Sequence, residues 1–378
     1  MLLSSIKLQN FRNYDVLKKT FNKKVVVFIG ENTQGKTNMI EAIRFLSLFK
    51  SFRTSAAGNV IGWNCGFARV EGEIKEGRVK KSIVGMLLKD DVSSSVKRMT
   101  QINGTKTTSS DAVGEFLTVL FSPEDIRLVS SSPVTRRKYI DSVLGQVSKV
   151  YYNTLLHYNR ALEQRNKLIS NMSKRYSPIS SLFIWDEQLA EQGSHLVKKR
   201  SEFFEKINKK LDNFYKEISG ENAKLKVIYI PKVNLPGVET LIDKKELGKF
   251  IKRSLKAAQA NDLARQTTTI GPHRDDFAFE LNDRSLATFG SRGEFRSAVL
   301  ALKLAELSFL EDASGKKPVL LLDDVFSELD KSRRRCLGKV LNDHQVFITA
   351  TDVNEMDDEF KKGALFLKIN GGKIVKIK

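Results

Sequence analysis

Residues 28–43 read "FIGENTQGKTNMIEAI". Within them, Gly30 to Thr37 fit the pattern G-x-x-x-x-G-K-[ST], which is typical of a loop whose backbone N–H groups wrap nucleotide phosphates. The apolar strand "KKVVVFIG" leads into the loop, and Ile40, Ile43 and Leu46 follow at helical spacing. This strand–loop–helix context predicts a phosphate-binding loop that opens an amphipathic helix.

The residue types of this loop match the chemistry of ATP and Mg²⁺. Glycines allow the backbone to approach phosphate oxygens, Lys36 is expected to reach the β- and γ-phosphates as a catalytic residue, and the Thr37 hydroxyl is expected to bind Mg²⁺. The predicted cofactor-binding residues are Gly30, Glu31, Asn32, Thr33, Gln34, Gly35, Lys36, Thr37 and Asn38.

A second stretch, residues 317–330, reads "KPVLLLDDVFSELD". Its apolar run predicts a buried strand that ends in two adjacent acids, and a Mg²⁺ site beside a phosphate-binding loop requires a carboxylate delivered in this way. Asp323 is therefore predicted to bind the metal. Asp324 is predicted to act on the attacking water.

A third stretch, residues 289–310, reads "FGSRGEFRSAVLALKLAELSFL" and predicts a buried helix that is apolar almost all round from Ala298 to Leu310. Ser291 and Glu294 have the spacing of a capping box. One interpretation is a capped core helix. The other is that Ser291 and the N–H groups of Arg292 and Gly293 present a helix N-terminus to an anion, and the residues alone do not decide between them.

The order of patterns along the chain predicts an α/β fold with an insertion. Alternating strands and the phosphate-binding loop fill the first segment, long helical periods fill the middle, and a buried helix and further apolar strands fill the end. We predict a head formed by 1–122 and 268–378, and an inserted, mostly helical arm at 123–267. Residues 221–260 are ambiguous between strand and helix.

Charge points to a polyanionic partner. The chain has 64 Lys and Arg against 44 Asp and Glu, a net charge of +20, which suits nucleic acid or an anionic membrane surface. No apolar run approaches the roughly 18 residues of a membrane span, so we expect a soluble, cytoplasmic protein with no membrane span. Charge alone does not choose between the two kinds of partner. Cys65 and Cys336 have no metal-ligand spacing and are expected to be ordinary thiols.

Basic clusters supply candidate DNA contacts. Few aromatic residues interleave with them, so we expect binding to the backbone of duplex DNA and no base stacking. The candidates are Arg136, Arg137, Lys138, Lys198, Lys199, Arg200, Lys252 and Arg253. His273 and Arg274, in "GPHRDDF", keep both a structural and a functional interpretation.

Several motifs together resemble a known family. The phosphate-binding loop, the serine–glycine helix start and the strand that ends in two acids before "SELD" are similar to the ATP-binding-cassette head of structural-maintenance-of-chromosomes (SMC) and double-strand-break-repair ATPases. More narrowly, "LQNFRNY", "SPEDIRLVSSSPVTRRKYID", "YNRALEQRNKLI", "GPHRDDF" and "SRGEFRSAVLALKLAE" resemble the RecF family of bacterial recombination mediators, in the same order and over nearly the whole chain.

The resemblance implies an ATP-dependent homodimer. In such heads the signature helix of one protomer, here Ser291, Arg292, Gly293 and Glu294, meets the ATP held by the partner, and Asp330 resembles the loop residue that crosses the interface. The resemblance also implies a weak, DNA-stimulated ATPase, associated with the nucleoid, that binds duplex and gapped DNA. It would help load recombinase with the partners RecO and RecR.

Three features depart from the family pattern. Glu294 stands where the signature has glutamine, Asp324 stands where many cassette ATPases have glutamate, and no histidine follows "VFITATD", where Thr349 or Thr351 is the nearest substitute. A carboxylate near a γ-phosphate would repel it, so we expect Glu294 to cap its own helix. The alternatives are a scaffold with a degenerate site, a transporter ATPase subunit and a related nuclease.

Overall fold

The computed structural model describes residues 1–90, 95–173, 181–233, 243–341, 343–353, 361 and 363–375. It divides into two compact units. The first comprises Met1–Ile126, Phe214–Glu221 and Val299–Lys378, and the second comprises Arg127–Asn213 and Asn222–Ala298. Residues 268–298, which the sequence patterns assign to the head, fall in the second unit because the strand at Asp276–Leu281 pairs with the strand at Leu225–Ile230.

An antiparallel sheet forms one layer of the first unit. Its order is β2-β1-β4-β5-β6-β7. Along β4, buried and half-buried residues alternate, as expected when one face of a sheet packs on the core. The strands are Leu2–Phe11 (β1), Tyr14–Thr20 (β2), Phe67–Glu76 (β4), Val79–Lys89 (β5), Val96–Ile102 (β6) and Thr105–Thr107 (β7).

A mostly parallel sheet forms the other layer, in the order β15-β14-β3-β13-β12-β8. Its central strands are fully buried apolar runs, as parallel strands covered on both faces usually are. The strands are Val25–Ile29 (β3), Thr118–Phe121 (β8), Val319–Asp323 (β12), Val346–Ala350 (β13), Leu365–Asn370 (β14) and Lys373–Val375 (β15). Because β3, β12 and β13 are parallel, their carboxyl ends meet at one edge.

The helix Lys36–Leu48 (α1) follows the phosphate-binding loop and contacts strands of both sheets. The sequence predicts an amphipathic helix here, and that prediction is wrong. Glu41 and Arg44 are buried together with the apolar residues, and Arg44 donates to the Thr118 hydroxyl at 2.6 Å. A helix covered by two sheets has no solvent face, so its polar residues take partners inside the fold.

The remaining helices of the first unit lie next to strands of the parallel sheet in the order of the sequence. Ala298 to Leu307 are buried without exception, which confirms the predicted core helix. These helices are Ser109–Ala112 (α2), the part of Arg292–Ser314 (α9) from Val299 onward, Val325–Glu328 (α10) and Lys331–Leu341 (α11).

The second unit is mostly helical, as the sequence predicts for the insertion. It adds a three-stranded sheet in the order β11-β10-β9, made of Leu225–Ile230 (β9), Asp276–Leu281 (β10) and Arg284–Ser285 (β11). The ambiguous stretch at 221–260 contains β9 and the start of a helix, and 234–242 lie outside the described residues. The helices are Arg127–Ser130 (α3), Pro133–Val147 (α4), Lys149–Ser173 (α5), Leu182–Ser219 (α6) up to Asn213, Lys244–Arg265 (α7) and Leu286–Phe289 (α8).

Candidate nucleotide-binding site

The phosphate-binding loop joins β3 to α1 and has the backbone that its glycines predict. Gly35 precedes α1 with φ of 116°, and a Cβ at this position would lie 2.7 Å from the Asn13 side chain. Both facts require glycine there. Lys36 is 8% exposed, and its ammonium donates to the carbonyls of Gly30 and, at 3.0 Å, Glu31. The backbone carbonyls of the loop therefore hold the ammonium of Lys36, the first residue of α1.

Two turns from distant parts of the sequence hold the loop in place. The Asn13 amide donates to the Gln34 carbonyl at 3.0 Å, and the Tyr14 hydroxyl donates to the Gly35 carbonyl at 3.0 Å. From the β14–β15 turn, the Gly371 N–H donates to Gln34 Oε1 at 2.8 Å. Burial raises the pKa of Tyr14, so its hydroxyl stays a donor.

The predicted metal residues lie together at the carboxyl edge of the parallel sheet. The Thr37 hydroxyl donates to Asp323 Oδ1 at 3.0 Å, and the Thr349 hydroxyl donates to the same oxygen at 2.8 Å. Asp323 is 6% exposed. Burial raises the pKa of its carboxyl, and the two hydroxyl donors oppose that rise.

A hydroxyl beside a carboxylate at the end of a buried strand suits Mg²⁺, which prefers hard oxygen ligands and keeps several waters and phosphate oxygens. Among the described residues, no group of three or more His, Cys, Asp or Glu could hold a metal ion by itself. Thr37 and Asp323 fit the ion only as part of a nucleotide complex, in which Mg²⁺ would neutralise phosphate charge.

Asp324 has an unusual backbone conformation. Its φ is 53°, and its N–H donates to the Thr349 hydroxyl at 2.8 Å. Within the described chain, its carboxylate has no hydrogen-bond partner and is half-buried beside Asp323. Thr349 therefore ties the backbone of one predicted acid to the side chain of the other.

Three further charged residues, Arg12, Glu41 and Arg53, lie near the loop. The sequence patterns predict no role for any of them. Arg12 forms a two-pronged ion pair with the fully buried Glu41, at 2.9 and 2.7 Å. Arg53 donates to Asn38 Oδ1 at 2.7 Å and lies 3.6 Å from the same glutamate. The motif "LQNFRNY" contains Arg12, but its distance in sequence from the phosphate-binding loop does not indicate that Arg12 contacts Glu41.

The predicted signature residues belong to the second unit, whereas the phosphate-binding loop belongs to the first. The Ser291 N–H donates to Glu294 Oε2 at 2.6 Å, and the Glu294 N–H donates to Ser291 Oγ at 3.2 Å. This is the capping box that the sequence predicts, so Glu294 is folded back onto its own helix. Ser291 and Arg292 are exposed, and Gly293 is half-buried.

Glu294→Gln and Glu294→Ala form a matched pair for this cap. Glutamine retains an oxygen that accepts from the Ser291 N–H, so we expect unchanged stability and ATP-dependent association at least as strong as in the wild type. Alanine leaves that N–H without its side-chain partner and should cost about 0.5–1.5 kcal/mol of unfolding free energy, the net contribution of one hydrogen bond. Denaturant unfolding and light scattering with ATP measure both. Equal stability of the two variants would contradict the capping role.

Asp330 caps the helix that follows the two acids. Its Oδ1 accepts from the Arg333 N–H at 2.9 Å, its Oδ2 pairs with the Arg333 guanidinium, and its side chain remains exposed. A role for Asp330 at a dimer interface stays a prediction.

Two of the candidate DNA contacts are buried ion-pair residues of the second unit. Arg136 makes a two-pronged pair with Asp276, at 2.6 and 2.8 Å. Arg200 is 1% exposed and donates to Asp141 at 2.9 Å and Asp275 at 3.0 Å. Because these guanidinium groups already serve internal carboxylates, we do not carry Arg136 and Arg200 into the proposed DNA surface.

The other candidates are accessible. Lys199 pairs with Glu202, and Lys252 pairs with Glu187. Exposed ion pairs of this kind contribute little to stability, so each lysine can exchange its carboxylate partner for a DNA phosphate. Lys138, Lys252 and Arg253 are exposed, and Arg137, Lys198 and Lys199 are half-buried.

Two residues of "GPHRDDF", His273 and Asp275, make structural contacts inside the second unit. Asp275 accepts from Arg200, from the Tyr229 hydroxyl and, at 2.8 Å, from the Lys232 N–H. The imidazole of His273 lies between the Tyr158 hydroxyl, at 2.7 Å, and the Thr268 carbonyl, at 2.9 Å. Burial lowers the pKa of His273 to about 4, so the ring is neutral near pH 7.

The His273 pKa predicts an acid dependence of stability. Between pH 6.5 and about 4 the unfolded chain binds a proton that the folded chain does not, so the contribution is complete above pH 6.5 and lost as pH falls. At the acid end the loss should reach about 3 kcal/mol. Unfolding free energies measured from pH 7 to 4 should fall less steeply for His273→Gln than for the wild type. Parallel curves would refute the assignment.

Taken together, a phosphate-binding loop, a hydroxyl-bridged strand-end carboxylate and a parallel sheet backed by an antiparallel one define an ATPase head of the ATP-binding-cassette class. A family model described as "RecF/RecN/SMC N terminal domain" matches residues 2–368. The chain belongs to this family and, within it, to the RecF group, which confirms the resemblance and the predicted fold class.

Individual relatives agree over the whole length. The chain is 36% identical to "DNA replication and repair protein RecF" of Caldanaerobacter subterraneus subsp. tengcongensis, over 95% of this chain and 96% of the relative. It is 36% identical to the protein of the same name from Halalkalibacterium halodurans, over 100% of both chains.

Solved structures agree as well. The structure of the recombination mediator protein RecF-ATP in the RecFOR pathway matches with a TM-score of 0.89 and 35% identity, covering 100% of this chain and 97% of that one. An Smc head domain from Pyrococcus furiosus matches with a TM-score of 0.52 at 15% identity, covering 100% of this chain and 96% of that one, and that likeness concerns the fold alone.

Proposed function

We propose that this chain is an ATP-dependent DNA-binding protein of recombinational repair and replication-fork maintenance. ATP, with Mg²⁺, closes a homodimer on duplex DNA near a single-strand gap, and slow, DNA-stimulated hydrolysis releases it. With RecO and RecR, the closed dimer helps load recombinase at the gap. We further propose that the protein works in the cytoplasm at the nucleoid.

One observation carries the ATP part of this proposal. Asp323 reaches the phosphate-binding loop and accepts from both Thr37 and Thr349, at 3.0 and 2.8 Å. A degenerate site would have no reason to keep a buried carboxylate, because burial without a function or full pairing is costly. The ATP-bound structures of the RecF protein that this chain resembles add support.

Charge and family support the DNA part. A net charge of +20 suits a phosphate backbone, and the relatives carry the name "DNA replication and repair protein". Within the described residues, no helix is both long and apolar enough to cross a bilayer. Exposed lysines and arginines bind backbone phosphates with little sequence preference.

The dimer part rests on the exposed Ser291 helix start. Its capping box uses the Ser291 N–H and the Ser291 hydroxyl within one turn, at the N-terminal end of a helix of 23 residues. Such an end favours an anion. A γ-phosphate held by Lys36 of a second copy is the anion that we propose.

The test measures fluorescence anisotropy of labelled duplex, single-stranded and gapped DNA with no nucleotide, ADP or ATP, while light scattering follows the mass. We expect ATP alone to produce both the dimer and tight duplex binding. Lys36→Ala and Ser291→Ala should abolish both, one by losing the nucleotide and the other by losing the contact across the interface.

Mixing the two variants provides a sharp control. If Ser291 acts in trans, a heterodimer of Lys36→Ala with Ser291→Ala retains one intact composite site, whereas each variant alone has none. Partial recovery of association in the mixture supports the proposal. DNA binding that is indifferent to nucleotide, by a protein that stays monomeric, would instead indicate a basic scaffold.

A further inference from the structure

A cavity of about 170 Å³ lies in the second unit, between the start of α4 and the "GPHRDDF" turn. It contains no part of the nucleotide site, which belongs to the first unit. Three cationic side chains, Arg137, Lys138 and Arg200, line it together with the single carboxylate of Asp141. The cavity is therefore positively charged.

Two of these cations lack a carboxylate partner in the described structure. The Arg137 guanidinium donates only to the Asp275 carbonyl, at 2.6 Å, and Lys138 is exposed without a partner. Arg200 differs, because Asp141 and Asp275 both accept from it. Burial lowers the pKa of Arg137, and the nearby charge of Arg200 lowers it further. Asp276 and Asp275 oppose this lowering, and an anion in the cavity would oppose it further, because a nearby negative charge favours the charged guanidinium.

The His273 ring that lines the cavity is neutral, and the one carboxylate in the lining, Asp141, already has partners. His273 Nε2 lies against the Thr268 carbonyl and so carries the proton, which leaves Nδ1 to accept from the Tyr158 hydroxyl. The carboxylate of Asp141 is engaged by Arg200 and, at 2.6 Å, by the Tyr151 hydroxyl. At the rim, the Asn159 amide has no partner among the described residues.

Size selects the kind of anion. A water molecule takes about 30 Å³ of liquid, so the cavity has room for roughly five waters. A tetrahedral phosphate fits such a volume. A phosphate inside a strand continues into a sugar on both sides, whereas a terminal phosphate continues on only one, and a partly enclosed cavity admits the terminal one more readily.

We propose that this cavity binds the terminal phosphate of a nucleic-acid strand, with Arg137 and Lys138 supplying the charge and Asn159 supplying an amide donor at the rim. The proposal rests on the proposed function and deepens it, because a gap in duplex DNA is bounded by strand ends. It gives the protein a way to distinguish a gap from continuous duplex.

The first experiment compares four gapped duplexes in the presence of ATP, with either a phosphate or a hydroxyl at the 5′ or the 3′ strand end that borders the gap. We expect one phosphorylated end to bind roughly tenfold more tightly than its hydroxyl counterpart, as charge-assisted hydrogen bonds to phosphate would produce. Lys138→Gln and Asn159→Leu, both at exposed positions, should remove this preference. Equal affinity for all four substrates would overturn the proposal.

Lys256→Gln is the matched control, because Lys256 is exposed on α7 and does not line the cavity. Its loss should lower affinity for phosphorylated and hydroxyl ends by the same factor. If it removes the preference as Lys138→Gln does, the effect is one of general charge and the cavity proposal fails.

A second experiment separates failure of this proposal from failure of the proposed function. Inorganic phosphate, against chloride at equal ionic strength, should raise the melting temperature of Lys36→Ala more than that of Lys36→Ala/Arg137→Gln, because a ligand that binds the folded state stabilises it. This readout needs neither DNA nor ATP. Equal shifts would overturn the cavity site, even if the ATP-driven clamp on DNA were confirmed.

Discussion

Asp324→Asn is expected to leave ATP binding and dimer formation intact while it lowers ATP hydrolysis by roughly 10²–10⁴-fold, the usual contribution of a general base. The carboxylate of Asp324 has no hydrogen-bond partner in the described structure and lies beside Asp323, the predicted metal ligand, so we expect it to be available to accept a proton from water. The variant should therefore accumulate as a closed dimer on DNA.

Asparagine is a matched replacement for a structural reason. Asp324 has φ of 53°, in the left-handed region that Asn and Asp tolerate better than other residues with side chains. The Asp324 N–H, which donates to Thr349, is also unchanged by the substitution. Alanine would lose the carboxylate and strain the backbone together, so its effect could not be assigned to chemistry alone.

Phosphate release measures ATP hydrolysis and light scattering measures dimer formation, both on the same samples with gapped DNA and ATP. Asp323→Asn is the comparison, because loss of the metal ligand should weaken Mg²⁺-dependent dimer formation as well as hydrolysis. If Asp324→Asn hydrolyses ATP at the wild-type rate, another group activates the water. If it fails to dimerise, Asp324 has a role in binding that its geometry does not suggest.

The phosphate-binding loop was predictable because its chemistry is local. The glycines, Lys36 and the Thr37 hydroxyl all lie within Gly30 to Thr37, so the sequence pattern alone predicts the local structure. The capping box of Ser291 and Glu294 was predictable for the same reason. Spacing of three residues at a helix start determines which groups meet.

The supports of the loop were not predictable, because they come from far along the chain. Thr349 meets Asp323 only because β12 and β13 are neighbours in register, and Asn13 meets Gln34 only because the β1–β2 turn lies over the loop. The sequence offers Thr349 only as a substitute for a missing histidine. Its contacts with both acids show a structural role that the sequence position alone could not reveal.

Charge in a sequence does not reveal burial, and this explains the errors among the DNA candidates. "TRRK" and "KKR" each combine exposed or half-buried cations with a buried arginine, Arg136 in one and Arg200 in the other. The helical phase points one residue of each cluster inward. The acceptors include Asp275 and Asp276, which lie far along the chain in "GPHRDDF", and nothing in the sequence indicates that these residues meet the two arginines.

Arg200→Met should therefore destabilise the protein by about 3–5 kcal/mol, the usual cost of removing one member of a buried ion pair. Asp141 and Asp275 would both lose a cation, and Asp275 would keep only the Tyr229 hydroxyl and the Lys232 N–H. Methionine preserves most of the side-chain volume, so the loss reports on charge pairing more than on packing. Denaturant unfolding of the full chain gives the free energy.

Lys198→Met is the control, because Lys198 is half-buried two positions earlier on the same helix without an ion-pair partner among the described residues. It should change stability by less than about 0.5 kcal/mol and, if it faces DNA, reduce the salt dependence of binding by about one phosphate contact. Arg200→Met at a temperature where it remains folded should leave that salt dependence unchanged. The reverse result, a stable Arg200→Met protein with a weaker salt dependence, would return Arg200 to the DNA surface and require Asp141 and Asp275 to find another cation.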